Sequence, residues 1–341
     1  MKKIRMRGED IRRFIIDHIE KHPQEISKLT AQHFHITRQA VNKHLQRLSE
    51  EKALIEEGQT RNRTYKLAPL LTWEHTYQTK MSLAEDLIWR KDIQPILSGL
   101  PDNVLHIWHY GFTEMFNNAI DHASGSEIIV KIVKTAASTD IIIADNGEGI
   151  FKKIQAALQL LDERHALLEL SKGKLTTDPK RHSGEGIFFT SRMFDAYGIL
   201  SGEVHFSHDF SSAEDWLHQR EKLVGTCVYM KLHNHTARTV KKIFDQYTSG
   251  ENYGFNKTIV PVTLAQYGND QLISRSQAKR LLARVELFKV VIFDFTGVES
   301  IGQAFADEIF KVFADEHPNM QLGWIHENTQ IKQMIQRALT R

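Results

Sequence analysis

Phe112-Thr113-Glu114-Met115-Phe116-Asn117-Asn118-Ala119-Ile120-Asp121-His122-Ala123 sets Glu114, Asn118 and His122 four residues apart. In a helix these three share one face, while Met115 and Ala119 lie on a neighbouring face that can pack against a sheet. A carboxylate and a carboxamide are therefore presented together. After a turn at Gly125, apolar residues from Ile128 to Val133 and from Ile141 to Ala144 read as a hairpin of two strands. The second strand runs straight into Asp145-Asn146-Gly147-Glu148-Gly149-Ile150. Further on, Ser183-Gly184-Glu185-Gly186-Ile187-Phe188-Phe189 opens a predicted helix through about Ala196. Glycines at a helix start let backbone amides approach an anion, and the helix dipole favours phosphate there. No Walker loop ending in Gly-Lys-Ser or Gly-Lys-Thr occurs anywhere in the chain.

Each piece alone is a common pattern, and their order and spacing carry the information. Glu-x-x-x-Asn-x-x-x-His-Ala, then Asp-x-Gly-x-Gly, then Gly-x-Gly before an apolar helix, then Gly225-Thr226 starting a strand, resembles the GHKL ATPase superfamily of gyrase, histidine kinases and anti-sigma kinases. The resemblance covers about residues 100–232. It implies ATP with magnesium as cofactors, with Asn118 coordinating the metal ion, a hard cation that keeps several waters. It implies that Asp145 accepts the adenine amino group with Thr226 assisting through water. Gly147 and Gly149 would let the backbone pass close to the base, and Gly184 and Gly186 would hold phosphate oxygens. Residues 151–182 would form a mobile lid in which Lys172, Lys174, Lys180 or Arg181 supplies charge. Ser183 departs from the pattern, standing where many relatives carry another glycine. Glu114 would be the general base, for water in ATPase branches and for a protein serine hydroxyl in anti-sigma kinases. The Asn-Ala-x-x-His-Ala style is closest to the anti-sigma branch. No phosphoacceptor helix pair with His followed by Glu and Pro precedes it, which disfavours a sensor histidine kinase, and His122 reads as a packing residue.

The head of the chain has a different chemistry. From Met1 to Ala68 there are 15 Lys or Arg against 9 Asp or Glu, whereas the whole chain is only +2, so the remainder is net acidic. A local basic excess suits a polyanion. Ile11, Phe14, Ile15 and Ile19 recur at helical spacing, a second helix follows with Ser27 as its expected cap, and Thr37 opens a third through about Ser49. That third helix buries Ala40, Val41, Leu45 and Leu48 and leaves Arg38, Gln39, Asn42, Lys43 and Gln46 outward, able to reach phosphates and base edges in a major groove. Ala53-Leu54-Ile55 and the segment from Gly58 to Leu67 read as two short strands around a basic loop. Residues 7–68 resemble the winged helix-turn-helix family, which implies double-stranded DNA as partner, with Arg61 and Arg63 in the wing. Winged regulators are commonly dimers, so a homodimer is expected.

Beyond a polar helix near Thr236 to Tyr247, strands are expected at Ile259–Val262, Val290–Asp294 and Leu322–Ile325, and helices at Ser274–Val285 and Gln303–Asp315. The stretch Val291-Ile292-Phe293-Asp294-Phe295-Thr296-Gly297-Val298-Glu299-Ser300-Ile301-Gly302-Gln303 resembles STAS domains, and more narrowly a STAS-like family of unknown function fused to GHKL modules. Phosphorylatable STAS domains carry Asp-Ser at the helix start. Here Gly302-Gln303 stands there, and glutamine accepts no phosphoryl group; Ser300 reads as a helix cap. The segment is thus expected to sense or dock a protein partner in cis.

The expected fold class is α+β multidomain: a winged helix-turn-helix (1–70), a helical connector (71–100) with Trp73 and Trp89 as packing anchors, a GHKL α/β sandwich with a mixed sheet and helices on one face (101–235), a linker (236–252) and a STAS-like α/β domain (253–341). Hydrophobic residues at 41% and charged residues at 25%, with no long apolar run, exclude a membrane-spanning helix at this level. The mixed charges after Met-Lys-Lys do not read as a secretory signal, so a cytoplasmic protein is expected. Cys227, the one cysteine, reads as a small buried residue, and the scattered histidines lack the partners of a zinc site. Together these expectations describe an ATP-responsive transcriptional regulator in which binding or slow hydrolysis controls the DNA-binding head. The alternatives are an anti-sigma-type protein-serine kinase and a GHKL ATPase of a defence system.

Overall fold

Isoleucines at helical spacing in the first twenty residues and the short apolar runs after Leu54 organise the first of two compact units in this computed structural model. The model describes residues 2–58, 63–79, 83–122, 124–176, 184–209, 215–248, 254–266 and 271–340, with the backbone alone described at 2–6, 122, 209 and 215–223. The first unit holds Met1–His75, Val130–Ile142 and Lys231–Thr236, and the second holds Thr76–Ile129, Ile143–Met230 and Ala237–Arg341.

In the first unit, helices α1 (Lys2–His18), α2 (Ile26–Phe34) and α3 (Arg38–Glu50) precede an antiparallel pair, β1 (Leu54–Glu57) and β2 (Thr64–Leu67), with Leu54 opposite Leu67. Ile11, Ile15, Ile19, Ile26, Val41, Leu45, Leu48, Leu54 and Tyr65 form one core. Phe14 stacks on His18 and His33 at its margin. Thr37 caps α3 by accepting from the Ala40 amide at 3.2 Å. Ser27 is not the cap of α2. That helix starts two residues earlier, after Glu25, without a side-chain cap, and the Ser27 hydroxyl donates to Asn42 Oδ1 at 3.2 Å.

Residues 71–78 correct the expected helical connector: Leu71–Gln78 is a strand, β3. It is the edge of a five-stranded sheet with β4 (Glu127–Lys134), β5 (Ser138–Asp145), β6 (Ala196–Asp209) and β7 (Asp215–His233), in the order β3-β4-β5-β7-β6. Only Tyr77 of β3 is buried, so the strand carries no alternation to read. Gly225-Thr226 lies inside β7 rather than starting it. The rest of 71–100 is helical: α4 (Glu85–Ile88), a π-helical turn Trp89–Ile93, and α5 (Gln94–Leu97). Trp89 is buried against Phe112, whereas Trp73 is half-exposed and stacks on His75.

Helix α6 (Asp102–His122) buries Val104, Ile107, Trp108, Phe112, Met115, Phe116 and Ala119. Gly111 makes room in it, because a Cβ there would stand 2.5 Å from the Phe194 ring. Within the expected lid, 151–182, the described residues hold two helices, α7 (Ile150–Leu158) and α8 (Glu163–Lys172), the latter capped by Asp162 and buried from Ala166 to Lys172. Lys180, Arg181 and Ser183 lie outside the described residues. Helix α9 is Gly186–Met193, shorter than expected, because Ala196 already belongs to β6.

The C-terminal part of the second unit follows α10 (Val240–Tyr247), which Thr239 caps. Strands β8 (Lys257–Pro261), β9 (Val290–Asp294) and β10 (Gln321–Ile325) form a parallel sheet ordered β10-β9-β8. Around it lie α11 (Arg275–Leu282), α12 (Gln303–Asp307) leading into a π-helical Glu308–Phe313 and α13 (Ala314–Glu316), and α14 (Thr329–Leu339). Ser274 and Gln277 form a reciprocal capping box on α11. Ser300 is not a cap, since Gly302 holds that position on α12 with no side-chain bond. The chain is thus a mixed α/β protein with several sheets, and no helix among the described residues is long and apolar enough to cross a membrane.

Candidate functional site

Asp145 ends β5, and the turn after it decides what its carboxylate can do. Oδ1 accepts from the Gly147 amide at 2.9 Å and from the Thr226 amide at 3.2 Å. Both bonds fall on one oxygen, and Oδ2 has no donor among the described residues. Burial pushes the Asp145 carboxyl above the usual carboxylate range, against the two amide bonds that favour its charged form. Thr226 Oγ1 in turn accepts from the Ile150 amide at 3.0 Å, at the start of α7.

Two glycines permit this packing. A Cβ on Gly225 would lie 2.0 Å from the Asp145 carbonyl oxygen, and one on Gly149 would lie 2.5 Å from Ser201 Oγ; both residues have positive φ. Ser201, buried, donates to the Gly225 carbonyl at 2.9 Å. Asn146 turns away from Asp145: its Oδ1 accepts from the Ser126 and Glu127 amides, tying the end of β5 to the start of β4. Ser201 and Asn146 escaped the sequence reading, since neither position differs in type from an ordinary loop or strand polar residue.

Asp145 and Thr226 line a pocket with Asn118 on α6. Met115, Ala119, Ile143, Ile150, Ile199 and Val228 supply apolar walls. Apolar walls with a few convergent polar atoms suit a small ligand that carries a hydrogen-bond donor. The Asn118 carboxamide, half-buried at the margin, has no hydrogen-bond partner among the described residues. Cys227 is half-buried next to Thr226; burial and the Asp145 charge raise its thiol above the ordinary range, so it is a neutral neighbour rather than a nucleophile.

Glu114 meets the glycine turn at the head of α9. A Cβ on Gly186 would stand 2.1 Å from Glu114 Oε2, so any larger residue there would displace the Glu114 carboxylate from the turn. Gly184 has φ +72, and its Cβ would strike the Leu175 backbone at 2.5 Å, while the Leu175 amide donates to the Gly184 carbonyl at 3.1 Å. Burial raises the Glu185 carboxyl, partly offset by Lys174. The structure therefore brings Asn118, Asp145 and Thr226 to one pocket and Glu114 and Gly186 into contact. Lys172 and Lys174 do not join them: both are bonded to the C-terminal segment. The His122 side chain and Arg61 lie outside the described residues. Among those residues no group of three or more His, Cys, Asp or Glu could hold a metal ion.

A separate hollow in the first unit is lined by Arg12, Thr37, Gln39, Ala40, Lys43, His44 and Arg47. Gln39 and Lys43 were expected there, whereas Arg12, His44 and Arg47 were not, because Arg12 comes from another helix and Arg47 pairs with Glu51 at 2.8 Å. Burial, then Arg12 and Arg47, lower the His44 pKa, which favours a neutral ring there. Arg38 is exposed; Asn42, also exposed, accepts from Ser27; Arg63 pairs with Glu56 at 3.4 Å.

Residues 277–332 match the family model of a STAS-like domain of unknown function (DUF4325). The match begins in α11, spans β9 and β10 and ends in α14, so the C-terminal segment is STAS-like. A comparison with curated proteins found no match.

Proposed function

We propose that this chain is an ATP-responsive DNA-binding regulator in which a GHKL-type site binds ATP with magnesium and controls a winged-helix head. The observation that carries the reading is the bond inventory of Asp145: a half-buried carboxylate, fixed through one oxygen by two backbone amides, with the other oxygen left for a donor in a pocket with mostly apolar walls. Asp145 would accept the adenine amino group, and Thr226 would flank it. Asn118, whose carboxamide is unclaimed, would hold a hydrated magnesium ion through its oxygen. The backbone at Gly184 and Gly186 would face phosphate, at the start of α9 where the dipole favours an anion. Glu114, against Gly186, would hold the proton of a nucleophilic hydroxyl or water as general base. The bound nucleotide supplies a transferable phosphoryl group.

The hollow beside α3 is the counterpart in the head. Lys43, Arg12 and Arg47 suit phosphates, and Arg38, Gln39 and Asn42 on the exposed face of α3 suit base edges. The segment carrying the STAS-like match would take a protein partner, and the chain would read two half-sites as a homodimer.

Calorimetric titration of the purified chain with ATP, with and without magnesium and beside Asp145→Asn, tests the reading while binding to its own upstream DNA is followed. Magnesium-dependent binding that the variant loses, with a matching change in DNA affinity, supports it. Tight ATP binding with DNA affinity unmoved would end the switch and favour phosphoryl transfer to a partner serine.

A further inference from the structure

Lys172 is fully buried, and three acceptors surround its ammonium: Glu169 Oε1 at 2.7 Å, the Arg280 carbonyl at 3.2 Å and the Ala283 carbonyl at 2.7 Å. The two carbonyls belong to the C-terminal end of α11, where the helix dipole is negative and a cation is favoured. Arg284, with left-handed backbone at φ 62, donates to Glu169 Oε2 at 3.0 Å and to the Lys174 carbonyl. Glu169 therefore has one cation on each oxygen. Lys174 Nζ donates to the Leu287 carbonyl at 2.8 Å and lies 4.7 Å from the centre of the Phe288 ring. Thr258 Oγ1 closes the set on the Lys172 carbonyl at 2.7 Å.

A buried ion pair is a weak source of stability because desolvation offsets attraction; what a fully bonded one supplies is a fixed geometry. Here that geometry holds the residues next to the glycine turn. Gly173, at φ +84, is so close to Phe255 and Phe188 that a Cβ would meet their rings at 2.7 and 3.0 Å. One residue past Lys174, Leu175 bonds Gly184, and Gly186 then touches Glu114.

We propose that Arg284, acting with Glu169 and Lys172, is a positioning residue for the nucleotide site. It belongs to the STAS-like segment and sets where the base of the glycine turn stands against Glu114. A partner that disturbs Arg284 thereby changes phosphate affinity, and nucleotide changes the affinity for that partner by the same factor. The proposal rests on the nucleotide reading above.

The test uses the full chain and two variants, Arg284→Ala and Arg284→Lys. Binding of magnesium-ATP and of adenosine, which lacks phosphates, is measured by calorimetry; hydrogen exchange of the Leu175 and Gly186 to Phe189 amides is measured without nucleotide. In Arg284→Ala, ATP should bind about tenfold more weakly, while adenosine changes by less than about twofold. Arg284→Lys should recover part of the loss, since an ammonium lacks the guanidinium fork that serves both acceptors. The named amides should exchange faster in Arg284→Ala, with β5 unchanged. Equal losses for both ligands, or unaltered ATP binding, overturn the proposal. If the unsubstituted chain binds neither ligand, the nucleotide reading fails by itself. The exchange result then decides: faster exchange upholds positioning of the glycine turn, and unaltered exchange ends it.

Discussion

Asp145 carries opposing pressures that make its protonation measurable. Burial raises its pKa above the unfolded value of about 3.9. A raised folded value means that its contribution to stability is fully present below the unfolded pKa and is lost as pH rises through the folded pKa. Asn at this position keeps an oxygen for the Gly147 and Thr226 amides and never charges. Thermal melts should therefore show Asp145→Asn matching the unsubstituted chain in acid and exceeding it at pH 7. Nucleotide affinity should move the other way. A donor on the ligand favours the carboxylate, so ATP binding to the unsubstituted chain weakens as pH falls through the raised pKa. Above that pKa the variant binds more weakly, by about 10-fold to 100-fold for one charge-assisted hydrogen bond, and the difference closes in acid. Gly225→Ala is the contrasting case. Its φ of +84 and the 2.0 Å approach to the Asp145 carbonyl leave no room for a methyl group, so its melting temperature should fall, with a loss of about 1–3 kcal/mol or more in chemical denaturation.

Helix α3 tests the head as an element. Thr37→Ala removes the one side-chain bond at its N-terminus and should cost about 1 kcal/mol in chemical denaturation. Lys43→Ala and Arg47→Ala should leave stability nearly unchanged and weaken DNA uniformly across sequences. Each should reduce the slope of log affinity against log salt by about 1 if it meets a phosphate. Arg47 should show the smaller effect, because Glu51 already holds it. The extent of α3, its Thr37 cap and its buried Val41, Leu45 and Leu48 were legible in the sequence, since apolar period and capping chemistry are local. Strand β3 was not: it is an edge strand with one buried side chain, so its residues follow the solvent and not a period. The grouping of Asp145, Asn118 and Thr226 around one pocket was legible through motif order, although they come from a strand end, a helix and the interior of β7. Lys172 and Lys174 were misread for the opposite reason. Positive charge beside glycines suits a phosphate, and only tertiary packing discloses that the last carbonyls of α11 and Leu287 claim them first.

On the scale of the whole chain, a switch requires that nucleotide and DNA each bind one arrangement better than another, since equal affinity for both shifts nothing. Strand β7 carries residues with both sets of contacts. Thr226 bonds Asp145 and Ile150 in the second unit. Further along the same strand, in the first unit, Lys231 Nζ holds both Glu20 oxygens at 2.8 Å, and His233 stands 3.6 Å from Asp17. The expected measurement is a closed thermodynamic square: DNA affinity with and without magnesium-ATP, and ATP affinity with and without DNA. The two ratios must be equal, and a coupling of about 5-fold to 150-fold is the range for such linkage. Glu114→Gln should leave both ratios intact, because the linkage depends on binding and not on turnover. Lys231→Ala should bring both ratios toward 1 while altering neither ligand's affinity for the chain measured alone. Ratios that stay large in Lys231→Ala would mean that the coupling does not pass through the Lys231–Glu20 pair, and ratios of 1 in the unsubstituted chain would mean that there is no coupling to carry.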